Sequence, residues 1–109
     1  MFPNIELIPL DYGDDYDTKI FSRKFTHKTI YFLDVTLQPR YLMLELEKDG
    51  NQIVIIDHHI SSINEIKELG WNPDGILNTG KAGCELTWEY FYPYMPMPTV
   101  VYWLGRYDV

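Results

Sequence analysis

The chain has one cysteine, Cys84, in 109 residues, so it has no internal disulfide. A reducing compartment is the natural reading. No apolar run is long enough to cross a membrane as a helix. The opening residues, Met-Phe-Pro-Asn-Ile-Glu, lack the basic stretch and apolar core of a secretion signal. These absences predict a cytoplasmic protein. Positive charge is also scarce: nine Lys and Arg face 16 Asp and Glu, for a formal net charge of −7. An overall basic field for duplex DNA is thereby excluded. A short nucleotide held through a metal is not, because an ion supplies local positive charge. Repeats, low-complexity tracts and internal linkers are missing too. The length suits one domain, residues 1–109, with a modest core. At 46% hydrophobic and 16% aromatic, the composition is that of a folded protein.

Against these absences one run stands out. Ile53-Val54-Ile55-Ile56 leads directly into Asp57-His58-His59. Four apolar, mostly β-branched residues in a row read as a buried strand of a parallel sheet. In open α/β sheets the site lies just beyond the carboxyl ends of the strands. A carboxylate and two imidazoles at that place form a ligand set suited to a divalent transition metal.

The surrounding pattern supports a sheet of this kind. Ile5 to Leu10 is a short strand candidate, followed by an acidic, turn-rich loop from Asp11 to Asp17. Residues 18–28 have no clear period. Thr29 to Leu33 reads as a second strand and ends in Asp34. Thr36 is placed to cap the next helix, with Pro39 tolerated in its first turn. Leu42, Leu44 and Leu46 give that helix an apolar surface, and Asp49-Gly50 ends it. After the strand at 52–56, Ser62 and Glu65 fit a capping box for a helix running to about Leu69, stopped by Gly70. Asp74 to Asn78 is another short strand. A helix carrying Leu86, Trp88, Tyr90 and Phe91 follows, then a proline-rich turn, then a helix from about Val100. Strand and helix alternate, which predicts an α/β fold of three layers, a mainly parallel sheet flanked by helices.

Parallel strands put their carboxyl ends on one edge. Asp34, the Asp57-His58-His59 cluster and the turn Thr79-Gly80-Lys81-Ala82-Gly83 should converge there. The turn opens a helix whose free N–H groups and positive dipole end suit a phosphate, with Gly80 and Gly83 allowing close approach. Gly75-Ile-Leu-Asn-Thr-Gly80-Lys81 also has the spacing of a nucleotide triphosphate loop. Ala82 stands where that loop needs a hydroxyl for magnesium, and Ile76 and Leu77 look like strand core, so that reading is rejected. Cys84 has no base at a diagnostic spacing, and a packed helix position suits it. The aromatic cluster Trp88 and Tyr90 to Tyr94 can pack a core or stack on bases, and packing is the commoner use.

Asp57-His58-His59 after an apolar strand resembles the signature of the DHH phosphoesterase superfamily. Leu33-Asp34-Val35-Thr36 resembles the family's second motif and Ile56-Asp57-His58-His59 its third. The segments Gly80 to Tyr90 and Leu104-Gly105-Arg106-Tyr107-Asp108 resemble its oligoribonuclease-like branch, with Asp108 as the fourth motif's acid. The resemblance implies a manganese- or magnesium-dependent hydrolase of short oligonucleotides or nucleotide phosphoesters. It implies metal ligands at Asp34, His58 and Asp108. His59 would contact the phosphate, with Asp57 behind it orienting a ligand, and these two form the catalytic pair. Thr79, Gly80, Lys81 and Gly83 would receive the phosphate.

Two features of the family are not matched. Its first motif, an Asp-x-Asp at the end of an opening strand, has no counterpart before Asp11. Asp15-Tyr16-Asp17 has the letters but lies in the wrong place. The family's carboxy-terminal substrate domain is not matched either. The chain therefore resembles a truncated DHH domain, predicted to hold one ion rather than two. An exposed sheet edge would then need cover from a second copy or a protein partner. The alternative function is a catalytically deficient module that binds a nucleotide or a protein.

Overall fold

A computed structural model describes residues 6–11 and 13–107, except the side chains of Trp103, Arg106 and Tyr107. Among these residues three strands form one sheet in the order β1-β2-β3, namely β1 (Thr29–Leu33), β2 (Gln52–Asp57) and β3 (Asp74–Leu77). Both pairings are parallel. The helices are α1 (Tyr16–Lys19), α2 (Tyr41–Lys48), α3 (Ile60–Glu68), α4 (Gly83–Phe91) and α5 (Thr99–Tyr107), with a short 3-10 turn at Phe21–Arg23. The architecture is the expected α/β one, a parallel sheet between helical layers. No helix among the described residues is long and apolar enough to cross a membrane.

Strand β2 is central because it is apolar on both faces. Ile53, Val54, Ile55 and Ile56 are all buried. Alternation sends Ile53 and Ile55 to one face, where they join Phe32, Leu37, Met43, Leu46 and Ile66. This face is covered by α2 and α3. Val54 and Ile56 point the other way and pack with Leu86 of α4, flanked by Tyr31, Tyr90 and Phe91. Each such side chain is worth about 1.5–3 kcal/mol of burial. Helix α5 packs on α4 as the outermost element of that side. Gly75 permits the close β2–β3 approach: at φ +123°, a Cβ there would lie 2.0 Å from the Ile55 carbonyl oxygen.

Some local expectations are corrected. Residues 6–10 form no strand; Pro9 has no N–H to offer a ladder, and Leu10 packs against the core instead. Ile5 lies outside the described residues. Thr36 does not cap α2. That helix starts about one turn of chain later, after Arg40, and Thr36 is buried with its hydroxyl 3.1 Å from that of Ser62. Ser62 and Glu65 form no capping box either. His59 occupies the N-cap of α3, so Ser62 is already inside the helix, and Glu65 pairs with Arg40. Cys84 is solvent-exposed on α4, with Sγ 3.8 Å from the Val101 carbonyl oxygen.

Candidate metal centre

Backbone pairing brings the acids together. The register Leu33↔Ile56 places Asp34 and Asp57 next in line on neighbouring strands, roughly 4.8 Å apart in backbone spacing. Asp34 N–H continues the ladder by donating to the Ile56 carbonyl at 2.8 Å, and Asn78 N–H donates to the Asp57 carbonyl at 3.1 Å. The three strand ends are thus fixed to one another at the carboxyl edge. At this edge Asp34, Asp57, His58 and His59 offer one ligand atom each, all within 4.8 Å of one another.

The four side chains differ in setting. Asp57 is fully buried. Its Oδ1 accepts from the His58 N–H at 2.7 Å, the His59 N–H at 3.2 Å and the His59 ring Nδ1 at 2.6 Å. Against a carboxylate, which only accepts, that last contact calls for the Nδ1–H tautomer and leaves Nε2 of His59 open to a ligand; the His59 side chain is 40% exposed. The His58 side chain is 10% exposed, and its Nε2 lies 3.0 Å from Asp34 Oδ1. The two imidazoles sit with ring centres 4.4 Å apart. Asp34 turns out of the strand at φ +61°, a left-handed conformation uncommon for a residue with a side chain. Its carboxylate is 46% exposed.

The donor set fits a divalent cation. Two carboxylates and two imidazoles suit several first-row metals. Asp57 Oδ2 adds a specific observation: it is buried and has no hydrogen-bond partner among the described residues. A buried carboxylate oxygen left without a partner costs free energy, and a cation in the cluster would offset that cost.

Helix α4 frames the open side. Gly83, its first residue, lies directly against Asp34, and a Cβ there would come within 2.6 Å of the Asp34 carboxyl carbon. The carboxylate therefore meets the positive end of α4, in a place only glycine leaves free. An open groove of about 400 Å³ continues from Asp34 along α4, lined by Thr87, Trp88, Phe91 and Tyr92. Trp88 and Tyr92 stack with ring centres 4.6 Å apart, while Tyr90 and Phe91 turn inward against Tyr31.

Of the residues singled out from the sequence, Asp34, Asp57, His58 and His59 come together in space, with Gly83 beside them. The other members of the 79–83 turn are engaged elsewhere. Gly80 N–H donates to Asn78 Oδ1 at 2.7 Å, and Lys81 pairs with Glu89. Thr79 is exposed. Asp108 lies outside the described residues. The phosphate-loop spacing from Gly75 to Lys81 dissolves into strand and turn, because Asp74–Leu77 is β3. Asp15 caps α1 through Thr18 and is not part of the cluster.

Sequence reasoning missed the polar network behind the site. Arg40 is 5% exposed and donates from Nε to Thr36 Oγ1 at 3.2 Å, from one terminal nitrogen to Ser62 Oγ at 2.9 Å and from the other to Glu65 Oε1 at 3.2 Å. Its signal in the sequence was weak: an arginine before a helix reads as surface.

No family model matches the chain, and no solved structure matches it significantly. It is similar to "Uncharacterized protein R106" of Acanthamoeba polyphaga mimivirus, with 30% identity over 78 residues. The matched stretch is 72% of this chain and 18% of that protein, so the chain spans about a fifth of its relative's length.

Proposed function

We propose that the chain is a metal-dependent phosphoesterase of the DHH type, acting on short oligonucleotides or nucleotide phosphoesters. One observation carries this reading: two carboxylates and two imidazoles converge at the carboxyl edge of a parallel sheet, with a buried carboxylate oxygen lacking a partner. Asp34 and His58 are the side chains that would hold manganese, with Asp108 as the further ligand the resemblance supplies. An ion there supplies Lewis-acid polarisation of a phosphoryl oxygen and a more acidic water.

The chain's own groups divide the remaining work. Asp57 fixes the ring of His59, so that Nε2 is presented to the open side. From there the His59 ring is placed to meet a phosphoryl oxygen, with Asp57 holding its orientation. The start of α4 beside Asp34 adds a positive dipole end for an anionic substrate. Four donor side chains among the described residues are a set sized for one ion. That favours a second reading, a module that binds a nucleotide without turning it over.

The deciding experiment titrates manganese into the protein and follows hydrolysis of a dinucleotide. Metal-dependent turnover that His58→Ala abolishes supports the enzyme. Saturable nucleotide binding without turnover supports the module. No uptake of manganese, magnesium or zinc at micromolar to millimolar concentration overturns the metal-centre reading.

A further inference from the structure

Asp34 and the two histidines stand on different segments. After Asp34, β1 has left the sheet, and its last ladder bond is Asp34 N–H to Ile56. The histidines precede α3. That ladder bond fixes the Asp34 backbone to β2, but it does not set the course of the β1–α2 loop over α3 or the angle at which the Asp34 side chain meets His58. Leu37 is buried and anchors the loop, but an apolar contact has no direction. Arg40 supplies the direction. Its guanidinium reaches Thr36, two residues past Asp34, and Ser62, three residues past His59. Thr36 and Ser62 also bond to each other at 3.1 Å. Both are fully buried. Glu65, on the same helix, pairs with the remaining nitrogen, which neutralises the buried cation.

A buried cation is a poor choice for stability alone, since apolar packing of like volume usually serves as well or better. Its planar fork does fix geometry, because three donors in a rigid frame specify both partners' positions. We infer that Arg40 is a positioning residue: it clamps the loop after β1 to the start of α3 and so sets how the Asp34 side chain meets His58 for metal binding. This inference rests on the metal-centre reading, and its test separates the two.

The test compares Arg40→Met, Arg40→Lys and the milder Thr36→Val with Asn51→Ala. Asn51 is buried at the opposite end of the sheet, so its loss weakens the fold without touching the clamp. In metal-free protein, the backbone amide signals of Asp34 and His58 are followed by NMR. They should shift in Arg40→Met and Thr36→Val and stay in place in Asn51→Ala. Manganese uptake is followed by electron paramagnetic resonance. Arg40→Met should bind about 10- to 100-fold more weakly, the usual range for residues that orient ligands. Arg40→Lys should recover part of the loss, and Asn51→Ala should bind as the unaltered chain does. If Arg40→Met does not fold, Thr36→Val carries both measurements. Unmoved Asp34 and His58 signals, or manganese affinity that falls equally in Asn51→Ala, overturns the clamp. If the unaltered chain takes up no manganese, the metal reading fails, and the metal-free NMR comparison still decides whether the clamp exists.

Discussion

The two ends of the sheet use buried polar side chains in opposite ways. At the amino end, Asn51 precedes β2 and closes the structure. Its amide donates to the Phe25 and Leu46 carbonyls at 2.9 and 2.8 Å and accepts from the Lys28 N–H at 3.1 Å. Its carbonyl and both of its N–H bonds are engaged with backbone, so it joins three segments and has little left to offer a ligand. At the carboxyl end, Asp57 is as deeply buried, yet one oxygen serves three donors and the other serves none among the described residues. Nearby, Asp34 sits in an unfavourable backbone conformation and against a glycine that leaves it room. A group that only supports the fold is expected to be satisfied. Unused capacity, strain and close approach at the other end are what a binding site requires.

The largest expected effect removes both ends at once. Gly75→Ala would drive a Cβ into the Ile55 backbone at the middle of the sheet. We expect a loss of more than about 4 kcal/mol, among the most severe single substitutions, read as absence of a cooperative unfolding transition. The next separates the ends. Asn51→Ala strands three backbone groups and should cost about 3 kcal/mol in urea denaturation, with manganese affinity unchanged. Asp57→Asn should do the reverse. It relieves a buried charge, so the metal-free protein should hold its stability or gain about 1 kcal/mol. The new amide puts a donor beside the cluster where an unpartnered acceptor stood, and manganese affinity should drop by about 10- to 100-fold. If Asp57→Asn loses stability as Asn51→Ala does, the contrast between the ends is wrong.

The sequence carried the sheet and the acid–histidine cluster well because both depend on short-range pattern. An apolar β-branched run announces β2, and parallel order then fixes which ends meet. The parts that stayed hidden depend on long-range partners. Thr36, Ser62 and Glu65 have the letters of helix caps, but Arg40 draws all three into one network across segments. Gly83 was legible as a close-approach glycine; that the approaching group is the Asp34 carboxylate is a fact of packing. Lys81 and Gly80 read as phosphate ligands until Glu89 and Asn78 are seen to engage them. Glu6 to Leu10 have strand composition, and no strand among the described residues pairs with them.

The smallest effect is expected at neither end, in the acidic loop before β1. Asp14 is held below the usual carboxylate value of 3.8 chiefly by its bond to Lys19, and Asp15 chiefly by the Thr18 hydroxyl at the start of α1. Both pKa values are lower folded than unfolded, so their contribution is fully present above pH 3.8 and is lost as pH falls through the folded values. Asp15 is exposed and Asp14 half-buried at the surface, so the gain is screened and small. Carboxyl carbon NMR titration should place both midpoints under 3.8. Thr18→Ala should raise that of Asp15 alone, and Lys19→Met that of Asp14 alone. Manganese affinity at neutral pH should be the same in both variants, since neither residue touches the cluster or the network behind it. A change there would mean that the acidic loop is coupled to the carboxyl edge, and the division between a closed end and an open end would have to be redrawn to include it.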